Sequence, residues 1–536
     1  MSATRPSQGD GTSGTAILLR FMLRRERRSL PWWLLGIGVL LAYQSAGSQS
    51  LYDSPEKLAR LRETLGANTA TIAMSGPREL LATIGGEVVF EIFAYLAVLV
   101  ALMNMFLVVR YTRSDEETGR AELIRSARVG RHAPMAAALA LAALANLAVG
   151  VVAFAAAAGT GLPAGGSVLL AAALAGVGIT FAGLTAIAAQ VFENPRAVYG
   201  AVGLAIGASF LLRALGDVGN GALSWLSPIG WGQRTFPYSG DRWWPLLLPL
   251  AAVAVTVPIA VSLQNHRDFG AGLLRSRPGR PTATAALGSP FGLAWRLQRG
   301  SVIGWTVGVL LLAVGYGSFG DSVEQFIADN PEVADYFPGG ATDIINAYLA
   351  FTIAFLALLA AAFGVASCLR ARSEETSGRA EPILATATSR SAWLGGHLSV
   401  ALGGSLLVLV MAGLGEGLSY GLAVSDLGQI PRLIGVALVW TPAVWLVVAV
   451  AVFGFGWLPR IAAIIAWILV GYCSVVTLFA DSFDLPGWST NASPFWHTPQ
   501  APLESVTAMP LLIVSALTAL LVAAGFAGLR RRDLGY

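Results

Sequence analysis

An acid four residues ahead of an arginine can pair with it on a helix, and this chain carries that arrangement twice in matching surroundings. Arg113-Ser-Asp-Glu-Glu-Thr-Gly-Arg-Ala-Glu122 and Arg372-Ser-Glu-Glu-Thr-Ser-Gly-Arg-Ala-Glu381 align without a gap at an offset of 259 residues, with seven of ten positions identical. Glu116 with Arg120, and Glu375 with Arg379, have the spacing and order of a helical ion pair. Ser114 and Glu117 have capping-box spacing. Gly119 and Gly378 hold the same place in both copies. A glycine inside a helix costs about 1 kcal/mol relative to alanine, so it marks a close approach or a break. The copies part at Thr376, opposite Glu117, and at Pro382, opposite Leu123. Arg113, Glu116, Glu117, Gly119, Arg120 and Glu122, with Arg372, Glu375, Gly378, Arg379 and Glu381, therefore form two related charged loops. Their chemistry is recognition of a charged surface. The plain alternative is a solvated connector with an internal ion pair. Retention of the same acids, glycine and arginine while the flanking segments diverged weighs against it.

Bond-making chemistry finds no support. There is no Ser/His/Asp or Cys/His grouping, so no catalytic residue is assigned. Cys368 and Cys473 stand far apart, as do His132, His266, His397 and His497, which leaves no metal pattern. A phosphate-binding P-loop needs Gly-x-x-x-x-Gly-Lys-Ser/Thr. The only lysine is Lys57, and Leu58 follows it. This chain itself is expected to bind no nucleotide. Its net charge of +4 is spread over many loops and gives no nucleic-acid footprint.

The elements that must hold these loops are membrane spans. Of the 536 residues, 55% are hydrophobic and 12% charged, about half the charge of a soluble domain. Runs of about 20 apolar residues suit spanning helices. Twelve are expected, at 30–48, 87–109, 134–157, 167–191, 198–216, 244–263, 302–320, 345–368, 397–422, 433–456, 461–480 and 510–529. Arginine clusters before the first, and after the second, sixth, eighth and last, all fall on one side. By the positive-inside rule that side is the cytoplasm, and both termini lie there. The opposite loops carry Asp321, Glu324, Asp329, Glu332 and Asp335, then Asp481 and Asp484. The expectation is an all-α polytopic protein of the cell membrane.

The halves echo each other. Ser227-Pro228 recurs as Ser493-Pro494, and His266-Arg-Asp-Phe-Gly270 as Arg531-Arg-Asp-Leu-Gly535. This predicts a disordered tail at 1–16, a first six-helix half at 17–266, a flexible linker at 267–290 and a second half at 291–536. Two tandem halves of like orientation are related by a pseudo-twofold axis normal to the membrane, with a path between them. Basic amphipathic stretches, Ile17 to Ser29 and Phe291 to Ser301, precede the first span of each half and suit an interfacial helix. Long Pro/Gly/Trp-rich external loops, Asp217 to Trp243 and Asp481 to Met509, are expected to be structured and partly re-entrant.

Three motifs together carry a resemblance. The Glu-Glu-x-x-Gly-Arg-Ala-Glu loop, the Ser227-Pro-Ile-Gly-Trp-Gly-Gln-Arg-Thr-Phe-Pro-Tyr-Ser-Gly-Asp-Arg-Trp-Trp-Pro245 segment and Leu293-Ala-Trp-Arg-Leu-Gln-Arg-Gly-Ser301 resemble the fused permeases of ABC type-2 exporters. The nearest likeness is to tetronasin and polyketide antibiotic export permeases, and it covers nearly the whole chain. The resemblance implies a homodimer of a separate ATPase subunit, with ATP and Mg bound on that partner. It also implies that the two charged loops act as coupling helices and that the cargo is an antibiotic-like small molecule.

The rival class is an ion-coupled twelve-helix secondary transporter. Such proteins place an acid, a basic residue and Gly-Arg in the loop after span two. Here Asp115 and Gly119 stand four apart, with two acids following the Asp. Intramembrane ionisable residues mark function by default. Glu416 in span nine is the clear acid of this kind, and Arg213 in span five is placed to pair with Asp217. Both are candidates for the substrate path.

Overall fold

The computed structural model of the chain describes residues 11–533 except 53, 65, 67–68, 128, 269, 275–280, 321–343 and 481–484. The expected external acids at 321–335, 481 and 484 lie outside the described residues. Among those residues the chain is helical, and its only β contact is an isolated bridge between Phe192 and Leu274. The chain divides into two compact units, 1–278 and 279–536.

In the first unit, α1 (Thr15–Glu26) leads to α2 (Leu30–Leu51) and then to α3 (Ile84–Val109). The first charged loop follows, with α4 (Arg120–Arg125) inside it. Then come α5 (Ala133–Gly159), α6 (Ala164–Val191), α7 (Pro195–Val218), the short α8 (Pro228–Gln233) and α9 (Leu247–Asn265). In the second unit, α10 (Pro290–Phe319) and α11 (Ile344–Cys368) precede the second loop, which holds α12 (Arg370–Thr376) and α13 (Ala380–Leu384). The rest is α14 (Arg390–Ala423), α15 (Gln429–Val439), α16 (Thr441–Trp457), α17 (Ala462–Phe479) and α18 (Ala508–Arg531).

Ten of the described helical segments are long and apolar enough to cross a membrane, five in each unit. One of them, 429–457, joins α15 and α16 across a break at Trp440, just before Pro442. The expected spans at 30–48 and 461–480 are also helices, but they fall short of the ten. The second half of α2 carries Gln44, Ser45, Ser48 and Gln49, and α17 has 18 residues against 22 to 34 in the ten.

Three expectations change. Residues 11–14 are not loose: Gly130 and His132 donate their N–H groups to the carbonyls of Ser13 and Gly11 at 2.8 Å each. The start of the expected linker is also held, since Leu273 and Leu274 donate to the carbonyls of Gln190 and Val191 at 3.2 and 2.9 Å. The two amphipathic stretches differ. The first is a separate helix that ends near Glu26, whereas 291–301 is the opening of the 30-residue α10. Ser289 caps that helix from its side chain and Pro290 sits at its first turn, which starts it early.

Each charged loop grows from the most enclosed helix of its unit. Val88, Val89, Phe90, Phe93, Leu96, Ala97, Val100 and Ala101 of α3 are all 0% exposed, so this helix is wrapped by its neighbours. In α11, Leu349, Ile353, Leu356, Ala357 and Ala360 have the same status. The segment 217–243 of unit 1 packs into its own unit. Ser227, Ile229 and Thr235 are fully buried, and Ser227 donates to the Ser209 carbonyl at 2.7 Å.

Without water, every amide inside such a bundle needs a partner. Asn104 of α3 and Asn146 of α5 meet this need reciprocally, their amides bonding each other at 3.0 and 2.8 Å. Each also donates to its own helix, to Val100 and Ala142 carbonyls at 2.8 Å. Gly178 of α6 lets them sit there, because a Cβ at that position would lie 1.9 Å from the Asn146 oxygen. Orphaning one buried partner costs about 1–3 kcal/mol, while replacing both is close to neutral. Asn146→Leu alone should therefore lower the melting temperature of the detergent-solubilised chain more than Asn104→Leu with Asn146→Leu does. Equal or greater loss in the double variant would show that the pair contributes no specific bond.

Candidate functional site

The first charged loop begins as a continuation of α3. The helix runs through a π-turn at Arg110–Ser114 and one more turn at Asp115–Glu117 before it stops. Gly119 then takes a left-handed conformation, φ 71°, and α4 starts immediately after it. Gly378 has the same φ of 71°. A side chain at either glycine would meet nothing within 4 Å, so both serve the backbone angle and break the helix.

That break redirects the ion pairs. The pairs expected at four-residue spacing do not form, because the register of one helix is not carried across a left-handed residue. Arg120 reaches Asp115 at 3.6 Å, and Arg379 reaches Glu374 at 3.7 Å. Ser114 lies inside the continuous helix, and its side chain caps nothing, so the capping-box reading also falls.

Glu116 and Glu375 instead bind the end of the last helix of their own unit. Arg267, just past α9, donates to both oxygens of Glu116 at 2.6 and 3.1 Å. Arg532, just past α18, donates to both oxygens of Glu375 at 2.7 Å each. These side chains are 6 to 14% exposed, so the forks are largely shielded from water. Arg267 and Arg532 were not among the expected site residues. The signal for them was present in the echo of His266-Arg-Asp and Arg531-Arg-Asp, which the charged-loop reading left unconnected.

Further arginines tie each loop to the end of another helix. Arg113, 1% exposed, donates to the carbonyl of Ala189 and, at 3.4 Å, to that of Gln190 at the end of α6. Arg372 donates to the carbonyls of Pro459 and Arg460 at 2.7 and 3.0 Å, just past α16. Arg131 donates to the carbonyls of Gln264, Asn265 and Arg267 at 2.7 to 3.3 Å, and Arg390 to that of Arg532 at 2.6 Å. The final carbonyls of a helix lack partners within it and carry partial negative charge, so guanidinium groups suit them.

The two loops are not identical. In unit 1, α1 takes part: Arg25 approaches Asp115 at 3.5 Å, and Arg110 and Tyr111 each bond Glu26 at 2.6 Å. Burial acts to raise the Glu26 carboxyl, but hydrogen bonds from Ser29, Tyr111 and Arg110 outweigh it and hold it below the usual carboxylate value. In unit 2 the acid is served from its own helix, by Arg370 at 3.0 Å from Glu374. Behind the first loop lies a cavity of about 270 Å³, lined by Leu18, Met22, Asp115, Ile124, Met135 and Arg267 among others.

The groups left facing out are Glu117, Arg120, Glu122 and Leu123 in unit 1, and Gly378, Arg379 and Glu381 in unit 2. Leu123 is 75% exposed. Each site is thus a braced base with an exposed charged tip. Among the described residues no group of three His, Cys, Asp or Glu could hold a metal ion.

Glu416 and Arg213 belong to neither loop. Glu416 is 0% exposed on α14, where Thr352 of α11 donates to one carboxyl oxygen at 2.6 Å. Arg213 is likewise fully buried and does approach Asp217, at 3.7 Å. It also donates to the Met74 carbonyl at 3.1 Å, while Asp217 accepts from Arg234 at 2.9 Å and Ser224 at 2.7 Å. That network fastens the 217–243 segment to α7.

Ten apolar spans with charged, braced connectors define a multi-pass membrane protein. The family model described as the multidrug efflux system permease Rv1217c, C-terminal domain, matches residues 18–264 and 287–530. The multidrug efflux system permease protein Rv1217c of Mycobacterium tuberculosis (strain ATCC 25618 / H37Rv) is 40% identical over 496 residues, 91% of this chain and 90% of that protein. The chain belongs to this permease family; it is a transport component and not an enzyme.

The bidentate forks give a direct energetic test. Removing one partner of a buried ion pair costs about 3–5 kcal/mol, because the other charge is left uncompensated. Glu116→Ala and Arg267→Ala should each lower stability on that scale, with the double variant well short of the sum. Arg120→Ala, whose side chain is 56% exposed, should cost less than about 1 kcal/mol. Chemical denaturation of the purified chain in detergent reads all four variants. Additive losses for Glu116 and Arg267 would remove the fork as a stabilising unit.

Proposed function

We propose that this chain is the membrane subunit of an ABC exporter that moves antibiotic-like or other apolar and amphipathic compounds out of the cell. A separate ATPase homodimer, carrying ATP and Mg, powers it. The two charged loops are its coupling elements, one per unit. Twelve spans in two repeated halves, related by a pseudo-twofold axis normal to the membrane, place both loops and both termini in the cytoplasm. α2 and α17 serve as the remaining two spans. The relative's name as a multidrug efflux permease supports export of drugs as the task.

The observation that carries this reading is the repeated fork. In each unit a loop at the end of the most buried helix is clamped to the end of the last helix, with charged groups exposed at its tip. A solvated connector needs no such clamp. A docking element does, because a push on its tip must reach the spans rather than bend the loop. The base residues Arg113, Glu116, Arg372 and Glu375 position the loops, and Glu117, Arg120, Glu122, Arg379 and Glu381 meet the partner. Gly119 and Gly378 turn the tips outward. Glu416 and Arg213 lie in the transport units as inner residues of the path in its open state.

Charge pairs desolvated at an interface cost about 2–5 kcal/mol when one partner is lost. Changing Glu117, Arg120 and Glu122 together to Ala should leave expression and melting temperature close to parental. ATPase co-purification and drug efflux should fall together, by about 30-fold or more. Arg379→Ala with Glu381→Ala should act in the same direction but to a different extent, since Pro382 reshapes that tip. Parental co-purification and efflux in the variants of both loops would make the loops connectors. Transport by the chain alone on a proton gradient, abolished by Glu416→Gln, would favour the ion-coupled class instead.

Sidedness has its own test. In a background lacking Cys368 and Cys473, Gly240→Cys should react with an impermeant thiol reagent added to intact cells, and Ala121→Cys should not. Labelling of residue 121 from outside would invert the orientation.

A further inference from the structure

We infer that unit 2 holds an anionic phospholipid headgroup at the shared end of α14 and α18. The first residues of α14 and the last of α18 border a shallow, open pocket of about 680 Å³. Ser389, Arg390, Ser391, Arg530 and Arg531 line it, together with Arg532 and Asp533. Both helices are membrane spans, so the cavity sits where a span meets water, at headgroup depth.

The charge balance favours an anion. Of the four guanidinium groups, Arg532 is neutralised by Glu375 through its fork. Arg390 spends one nitrogen on the Arg532 carbonyl at 2.6 Å, and Arg530 donates its Nε to the Ser391 hydroxyl at 3.0 Å. Neither forms an ion pair with an acid among the described residues, and Arg531 makes no polar contact there. Asp533 is the single acid on the cavity wall and offsets one of these three charges. Arg390 also neutralises the carbonyl end of α18, which would otherwise repel an anion. Hydroxyl and guanidinium donors converging at the lipid boundary suit a phosphodiester.

Unit 1 shows that this is not a by-product of the shared design. Arg131 caps the end of α9 as Arg390 caps α18, and Arg267 forks to Glu116 as Arg532 forks to Glu375. Yet the positions matching Arg530 and Arg531 are Asn265 and His266. The brace is common to both units, and the two added cations belong to unit 2 alone. The site requires only a membrane location, so its test stands apart from the exporter reading.

The full-length chain is reconstituted in nanodiscs of equal phosphatidylglycerol and phosphatidylcholine, and the lipids that stay on the released protein are counted by native mass spectrometry. The parental chain should retain phosphatidylglycerol in preference. Each arginine near an anionic surface contributes about fivefold in affinity, so Arg531→Gln should lower retention about fivefold and Arg530→Gln with Arg531→Gln further. Arg531→Gln keeps the test valid if the double variant misfolds, because that side chain braces no described residue. Excess inorganic phosphate should leave the lipid in place; displacement would assign the site to free phosphate and overturn the lipid. Unchanged retention in both variants overturns the site.

Discussion

A carboxylate gripped on both oxygens by one guanidinium is the contact on which each unit turns. Glu116 and Arg267 make it in one, Glu375 and Arg532 in the other. It joins the loop after the innermost helix to the end of the outermost one, so two helices remote in sequence share a rigid terminus. The planar fork fixes angle as well as distance, which a lysine would not do. Its low exposure matters equally. Water and salt screen an exposed pair to near nothing, whereas a shielded one keeps its geometry under load.

The remaining contacts of the loops follow from that clamp. Once Glu116 is taken by Arg267, Arg120 is left to the adjacent Asp115 and stays half in solvent. Glu374 and Arg379 repeat the outcome. Arg113 and Arg372 fill the carbonyl ends of neighbouring helices, which gives each loop a third point of support. Three supports fix a base; the glycine at φ 71° then sends the tip away from it.

Polar groups within the spans obey a stricter version of the same rule. Asn104 and Asn146 satisfy each other, and one oxygen of Asp217 accepts from Arg234 and Ser224 while Arg213 approaches the other at 3.7 Å. Glu416 has a hydrogen bond to one oxygen only, with the second unpartnered in the described structure. Leaving a carboxylate oxygen without a donor in an apolar interior is costly.

The membrane architecture was legible because burial in lipid acts on composition alone. Long apolar runs and two matching charged loops are properties of the linear chain, and ten of the expected spans stand as apolar helices. The repeat even contained the bracing arginines, in the matching His266-Arg-Asp and Arg531-Arg-Asp segments. What the sequence did not disclose was which acid they bind. Spacing rules describe pairs within one helix, and they favoured Arg120 for Glu116 and Arg379 for Glu375. Only tertiary structure brings residue 267 beside residue 116, and residue 532 beside 375. It does so because α3 and α9, like α11 and α18, end at the same level of their unit. There an arginine from another helix reaches both carboxylate oxygens, joined in unit 1 by Arg113 of the same helix at 2.8 Å from Glu116, and the glycine break takes Arg120 and Arg379 out of reach of the expected pairs.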